Sequence, residues 1–254
     1  MKRVTFVVAS ALAGLLAAEA AHALAPQLGA PWTRYIATMR IDLDKRMAEL
    51  GAEKGDRVFI RLFKASNELE LWMETSKGYK LAKTYPICSF SGNLGPKLRE
   101  GDKQAPEGFY SVTRGRLQPN SQYHLAFNLG FPNAYDRSHG RTGSFLMIHG
   151  SCGSSGCYAM TDERIAEIYG VVEAAIEAGQ EEVPVHVFPF RMTEKNMRWY
   201  RDSKWAGFWQ NLAKGYRWFE EHGRPPEVEV HAGQYMFADP ANQNGENVQI
   251  AQSQ

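Results

Sequence analysis

Residues 144–163 read SFLMIHGSCGSSGCYAMTDE, which sets His149 and Cys157 on either side of a run of glycine and serine. A cysteine attacks as its thiolate, so a catalytic one needs a neighbour that lowers its pKa or takes its proton. A histidine at a strand end, held across a short glycine-rich turn, can be that neighbour. Gly156 removes bulk beside the sulfur, and backbone N–H groups of a tight turn near a helix start could face a developing oxyanion. Three other readings use the same residues. Cys157 could be an inert core side chain, or it could pair with Cys152 in a local disulfide. His149, Cys152 and Cys157 could also be part of a metal site, although no fourth ligand stands nearby and soft structural sites usually need four. Cys152 otherwise reads as a bystander, exposed to oxidative pairing by its closeness to Cys157.

The elements that must hold this pair are legible around it. RVFIRLFK, ELELWME and YKLAKTYPICSF alternate apolar and polar residues, with breaks at Ser66-Asn67 and Lys77-Gly78. That alternation predicts an antiparallel meander. A long turn-rich segment over residues 92–108 follows. FYSV, YHLAFNLGF and FLMIH are further strands, and FPNAYDRSHGRTG is a loop before the last of them. Thr161, Asp162 and Glu163 suit a helix start, with apolar periodicity running to Ala178-Gly179. VPVHVFPF reads as a buried strand. A Thr193-capped, aromatic-rich stretch to His222 is helical, with a break near Ser203, and PPEVEVHAGQYMF is a last hairpin. Upstream, Ile36, Met39, Leu43 and Met47 predict an amphipathic helix over residues 32–50, stopped by Gly51.

The expected fold is an α+β domain, mostly antiparallel β, with helices at both ends. A central domain over residues 56–190 is flanked by a helical segment over 24–55, by helices and a hairpin over 191–240, and by a polar, disordered tail over 241–254. The first 23 residues carry a basic start, a charge-free apolar run from Val4 to Ala18 and the small-x-small pattern Ala21-His22-Ala23. This is the layout of a cleaved signal peptide, with an uncleaved anchor as the competing reading; cleavage after Ala23 would make the protein periplasmic, with no stable membrane insertion afterwards. The formal net charge is +1 without a basic block, which points away from nucleic acid. Three cysteines in an exported chain leave at least one thiol unpaired within it.

The stretch IHG at 148–150 followed by Ser154-Ser155-Gly156-Cys157 resembles the active-site signature of the YkuD-type L,D-transpeptidases. Ser155 stands where most of that family has a second histidine, and the His-to-Cys spacing is shorter than usual. Both departures are similar to the YafK branch, as are RVFIRLFK, CSFSGNLGPKLREGDKQAPEGFY, LGFPNAYDRSHGRTG and PFRMTEKNMRW. Together these segments span roughly residues 56–200.

The resemblance implies a YkuD catalytic domain acting on peptidoglycan stem peptides, without metal or organic cofactor. It implies Cys157 as nucleophile on the L-centre carbonyl of meso-diaminopimelate, through a thioester, and His149 as base and then acid. Backbone N–H groups near Gly156 and Cys157 would hold the oxyanion. An amine acceptor then gives a cross-link and water gives hydrolysis, including release of a wall-attached protein. Gly108 and Tyr110 match the family's Pro-x-Gly-x-Tyr/Phe element near the catalytic centre, where Gly108 reads equally well as a turn glycine. Gly150 and Ser154 flank the two signature halves and are expected to line the substrate site. His124 and Tyr135 are groove candidates, with a structural role competing at His124. Arg99, Arg137 and Arg141 could meet stem-peptide carboxylates or be solvated surface groups. The rival reading is a non-catalytic wall-binding module with a degenerate site.

Overall fold

The computed structural model describes residues 42–239. The expected leader, most of the expected helix over 32–50 and the polar tail lie outside them. Within them, Asp42 caps α1 (Leu43–Leu50): its carboxylate accepts from the Asp44 and Lys45 N–H groups. Gly51 ends it at φ 69°, a left-handed conformation that glycine adopts without a Cβ penalty.

The meander forms as β1 (Val58–Phe63), β2 (Glu68–Thr75) and β3 (Gly78–Pro86). It continues through β10 (Glu182–Phe188), parallel to β1, and β5 (Gly108–Thr113), antiparallel to β10. The order is β3-β2-β1-β10-β5. The β1–β10 pairing joins Ile60 to Val185, a contact that local periodicity does not announce. Val58, Ile60 and Leu62 enter one core, while Phe59 and Phe63 face the other side. The polar member of the alternation is also inside: Arg61 is 3% exposed, bonded to Glu70 and Glu220. Both faces of this sheet are therefore covered.

One cover is α3 (Asp162–Glu177), whose apolar face presents Ile165, Ile168, Val171, Val172 and Ala175. Each large aliphatic side chain buried there contributes roughly 1.5–3 kcal/mol, so this face anchors the helix that follows Cys157. Thr161 precedes α3 at φ 77° without a side-chain cap bond, so the expected hydroxyl cap is not formed. The other cover is α4 (Glu194–Trp199), α5 (Ala206–His222) and the hairpin β11 (Glu227–His231) and β12 (Gln234–Ala238), where the aromatic residues pack.

The second sheet is built from short strands in the order β4-β9-β8-β7-β6. They are β4 (Ser89–Phe90), β6 (Leu117–Ser121), β7 (His124–Asn128), β8 (Met147–His149) and β9 (Tyr158–Ala159). β8 is shorter than FLMIH because Phe145 takes φ 54°. The segment expected as a plain loop holds α2 (Ala134–Ser138), nucleated by reciprocal capping between Asn133 and Asp136. Among the described residues no helix is long and apolar enough to cross a membrane.

Candidate active site

β8 runs between β7 and β9, antiparallel to the first and parallel to the second. Ile148 pairs with Tyr158 and both are fully buried, so that face of the sheet is core. Side chains alternate along a strand, which sends His149 to the opposite face, and Cys157 lies immediately before β9, two residues ahead of Ala159, the register partner of His149. Residues 150–156 make the return from the end of β8 to the start of β9, and their small size permits so tight a parallel connection.

The thiol is half-buried. Its Sγ accepts from the Met147 N–H at 3.4 Å and donates to the Phe145 carbonyl at 3.6 Å. Burial raises the Cys157 pKa, opposed by the Met147 N–H and by the charge of Lys97. The resting group is thus a thiol, which needs a base. His149 is 3% exposed, and burial holds its pKa below the ordinary histidine value, opposed by the Gly150 carbonyl. Its Nδ1 lies 2.6 Å from that carbonyl, which only accepts, so Nδ1 carries the proton and Nε2 keeps its lone pair. The Tyr123 ring lies against the imidazole at 4.7 Å between centroids. His149 ends β8 and Cys157 immediately precedes its neighbour β9, while their present hydrogen bonds run to Gly150 and Phe145 respectively.

The other expected site residues fall into two groups. Gly150, Ser154, Ser155 and Gly156 lie in the connection between the two residues, and His124 opens β7 beside Gly150. Gly156 sits at φ 110°, where a Cβ would also come within 3.1 Å of Leu146. Its N–H donates to the Ser91 hydroxyl, so the expected oxyanion donor is already engaged. Ser154 Oγ donates to the Cys157 carbonyl at 2.7 Å and fixes the turn from inside. Gly150 is buried where a Cβ would lie 2.5 Å from the Tyr123 carbonyl. Ser155 and His124 are exposed, and His124 takes φ 70°.

Gly108 and Tyr110, expected near the catalytic centre, lie on the first sheet. Both are buried: Gly108 abuts the Tyr235 hydroxyl, and Tyr110 Oη sits 3.0 Å from Asp136. Asp136 in turn pairs with Arg141 at 2.8 Å, which makes Arg141 an internal partner rather than a carboxylate receptor. Tyr135 is likewise buried, stacked on Tyr235 and His139.

Cys88 and Cys152 form a disulfide, and Cys157 is the free cysteine. This overturns the Cys152–Cys157 pairing and Cys152 as a bystander, and it removes Cys152 as a thiolate ligand. Among the described residues no cluster of His, Cys, Asp and Glu could hold a metal ion.

Several neighbours of the pair come from distant chain positions. Ser91 meets Gly156, and the Lys97 ammonium bonds the Arg99 carbonyl at 2.9 Å and the Asp102 carboxylate. The segment over residues 91–107 that carries them is held by a fully buried ion pair. Lys64 Nζ reaches Glu107 at 3.0 Å and the Asn93, Gly95 and Ala105 carbonyls, and Glu107 accepts from the Gly95 N–H and the Trp209 indole. The rim carries two exposed aromatics, Tyr123 and Phe145, at 51% and 71% exposure. Their only signal in the sequence was proximity to turn residues.

The L,D-transpeptidase catalytic domain (YkuD) matches residues 60–187. YafK of Escherichia coli (strain K12), named as a candidate L,D-transpeptidase, is 47% identical over 197 residues, covering 78% of this chain and 80% of that protein. Among solved structures, the helical cell shape determining protein Pgp2 (K307A mutant) of Campylobacter jejuni is 21% identical with TM-score 0.44, covering 68% of this chain and 61% of that one. L,D-transpeptidase 1 of Mycobacterium tuberculosis is 13% identical with TM-score 0.31, covering 52% and 62%. On the domain match and the YafK identity, this chain belongs to the L,D-transpeptidase catalytic-domain family, a family that acts on peptidoglycan.

Proposed function

We propose that this protein is an exported cysteine enzyme that acts at the L-centre carbonyl of meso-diaminopimelate in peptidoglycan stem peptides. The supporting observation is that its one free cysteine immediately precedes β9, the strand paired with the end of β8, where a neutral histidine keeps its Nε2 lone pair. The leader read in residues 1–23 supports export.

The reaction begins when substrate draws His149 Nε2 to the Cys157 thiol, which now donates to the Phe145 carbonyl. Apo geometry of this kind commonly tightens on binding. Nε2 takes the proton and Sγ attacks the carbonyl carbon. The tetrahedral oxygen takes over the Gly156 N–H as the Ser91 hydroxyl turns away. The C–N bond then breaks, the imidazolium returns its proton to the departing amine, and a thioester remains. Water or an amine, deprotonated by His149, resolves it. Tyr123 and Phe145 offer apolar surface to the peptide, and Ser155 leaves His149 as the titrating partner of Cys157.

The test is mass spectrometry of muropeptides, free and protein-linked, incubated with the mature protein and with Cys157→Ala. Cysteine-dependent loss of the group attached to diaminopimelate identifies hydrolysis, and new diaminopimelate–diaminopimelate links identify transpeptidation. Identical samples under reducing conditions would leave a wall-binding module as the better account.

A further inference from the structure

Cys152 lies five residues from Cys157, within the loop that joins the base to the nucleophile. The loop is fastened at both ends. The Ser151 N–H donates to the Asp162 carboxylate at 2.7 Å and its carbonyl accepts from the Thr161 N–H at 2.8 Å. At the other end Ser154 holds the Cys157 carbonyl and Ser91 holds the Gly156 N–H. Between these points Cys152, Gly153 and Ser155 are exposed, and a Cβ at Gly153 would meet nothing within 4 Å. The side chain that crosses from this middle to the body of the protein is Cys152, joined to Cys88 with 5.4 Å between Cα atoms. Cys88 is docked in turn, its N–H donating to the Ala159 carbonyl at 2.8 Å.

We infer that Cys88 is a positioning residue for the nucleophile: by holding Cys152 in a disulfide it keeps the neighbouring thiol from pairing with Cys157. A disulfide that serves stability alone could join any two well-placed segments. This one captures the cysteine nearest in sequence to the free thiol. A thiol five residues away on a glycine-containing loop meets its partner at an effective concentration in the millimolar range, far above that of solution thiols. In an oxidising compartment the unguarded pair would close. With oxidised glutathione as oxidant, the Cys152 thiolate displaces one glutathione thiol to give a mixed disulfide. The Cys157 thiolate then attacks the Cys152 sulfur, expelling the second glutathione thiol. Two protein thiols are oxidised and one glutathione disulfide is reduced, and the nucleophile is lost. The purpose of the guard rests on Cys157 being the nucleophile, whereas its existence does not.

Two single variants, Cys88→Ser and Cys152→Ser, break the same disulfide and differ in which thiol they leave behind. Each is incubated as the mature protein with oxidised glutathione. Cys157 is then scored by alkylation with iodoacetamide and by mass mapping of linked peptides. Cys88→Ser is expected to lose alkylatable Cys157 roughly tenfold relative to wild type, given the intramolecular advantage of Cys152. The loss appears with a 152–157 linkage and is reversed by dithiothreitol. Cys152→Ser is expected to keep Cys157 at the wild-type level. A purely structural disulfide would make the two variants alike, and equal alkylation in them overturns the inference. Neither readout requires turnover, so its failure is separable from failure of the muropeptide experiment.

Discussion

The two five-stranded sheets use the same residue type to opposite ends. In the sheet of β1, β2, β3, β5 and β10, with strands of six to nine residues, His186 is boxed edge-on by Phe59 and Phe109. Burial, then the Arg61 charge, pushes its pKa down to about 3, and its Nδ1 has no partner. In the sheet of β4 and β6–β9, with strands of two to five residues, His149 is also buried and neutral. His149, however, ends a three-residue strand, its Nδ1 is satisfied by the next carbonyl, and a glycine loop opens beside it. Neutrality is common to both. A fixed tautomer and a place at a strand end beside a glycine loop are what separate a candidate base from a core side chain, and both come from where regular structure stops.

The largest expected effect tests that division directly. Cys157→Ala and His149→Ala should each lower turnover of muropeptides by about 1,000-fold or more, the scale seen when one member of a catalytic unit is removed. His186→Phe in the other sheet should leave kcat/KM within about twofold, because it touches no reacting group. Loss of turnover in a well-folded His186→Phe protein would break the comparison. Next in size is Lys64→Met, which leaves Glu107 as an unpaired charge at 0% side-chain exposure. Stability should fall by about 3–5 kcal/mol in a urea titration, the usual result of removing one partner of a buried pair. A fall below about 1 kcal/mol would mean that Lys64 does not hold the segment that reaches Gly156.

His186 also predicts a pH dependence. Its folded pKa lies below the ordinary histidine value, so the unfolded chain takes up the proton first. The stability tied to the neutral ring is fully present above about pH 6.5 and is lost as pH falls from there towards about 3. Each pH unit in that window costs on the order of 1.4 kcal/mol from this group. Urea titrations between these limits should therefore show the wild type losing stability relative to His186→Phe as pH falls. Parallel curves would show that His186 is protonated or solvated in the folded protein.

Much of this organisation is legible in the sequence, for a reason that also marks what is not. The meander, α3, α5 and the hairpin depend on apolar periodicity within a few residues of themselves, and the histidine and cysteine stand out by the glycines between them. Tyr110 and Gly108 are legible as a motif, but their burial is set by Asp136 and Tyr235, which come from distant segments. Ser91, Lys97 and the Cys88–Cys152 bridge were hidden because they are meetings of distant segments. The β1–β10 pairing was hidden for the same reason, and Arg61 looked like a solvent-side residue because both faces of its sheet are covered only in three dimensions. Local pattern reports the strand and the turn; which remote side chain closes over the sulfur is a property of the whole packing.

The smallest effect sharpens the comparison most finely. Tyr123 comes from the turn between β6 and β7 and lies on His149 with an interplanar angle of 34°. Burial is the main cause of the lowered His149 pKa, and this ring supplies part of the cover. Tyr123→Ala should let water reach the imidazole and raise its pKa towards the ordinary value of about 6.5. A base acts only when neutral, so activity is lost as pH falls through that pKa. A raised pKa therefore moves the acid limb of kcat/KM to higher pH. The expected result is a loss of activity that grows as pH falls below about 6.5 and fades by pH 8. Tyr123→Phe keeps the ring and should keep the wild-type limb. If Tyr123→Ala lowers kcat/KM by the same factor at every pH, the ring serves substrate binding alone. The neutrality of His149 would then belong to its strand-end position, as that of His186 belongs to its box of phenylalanines.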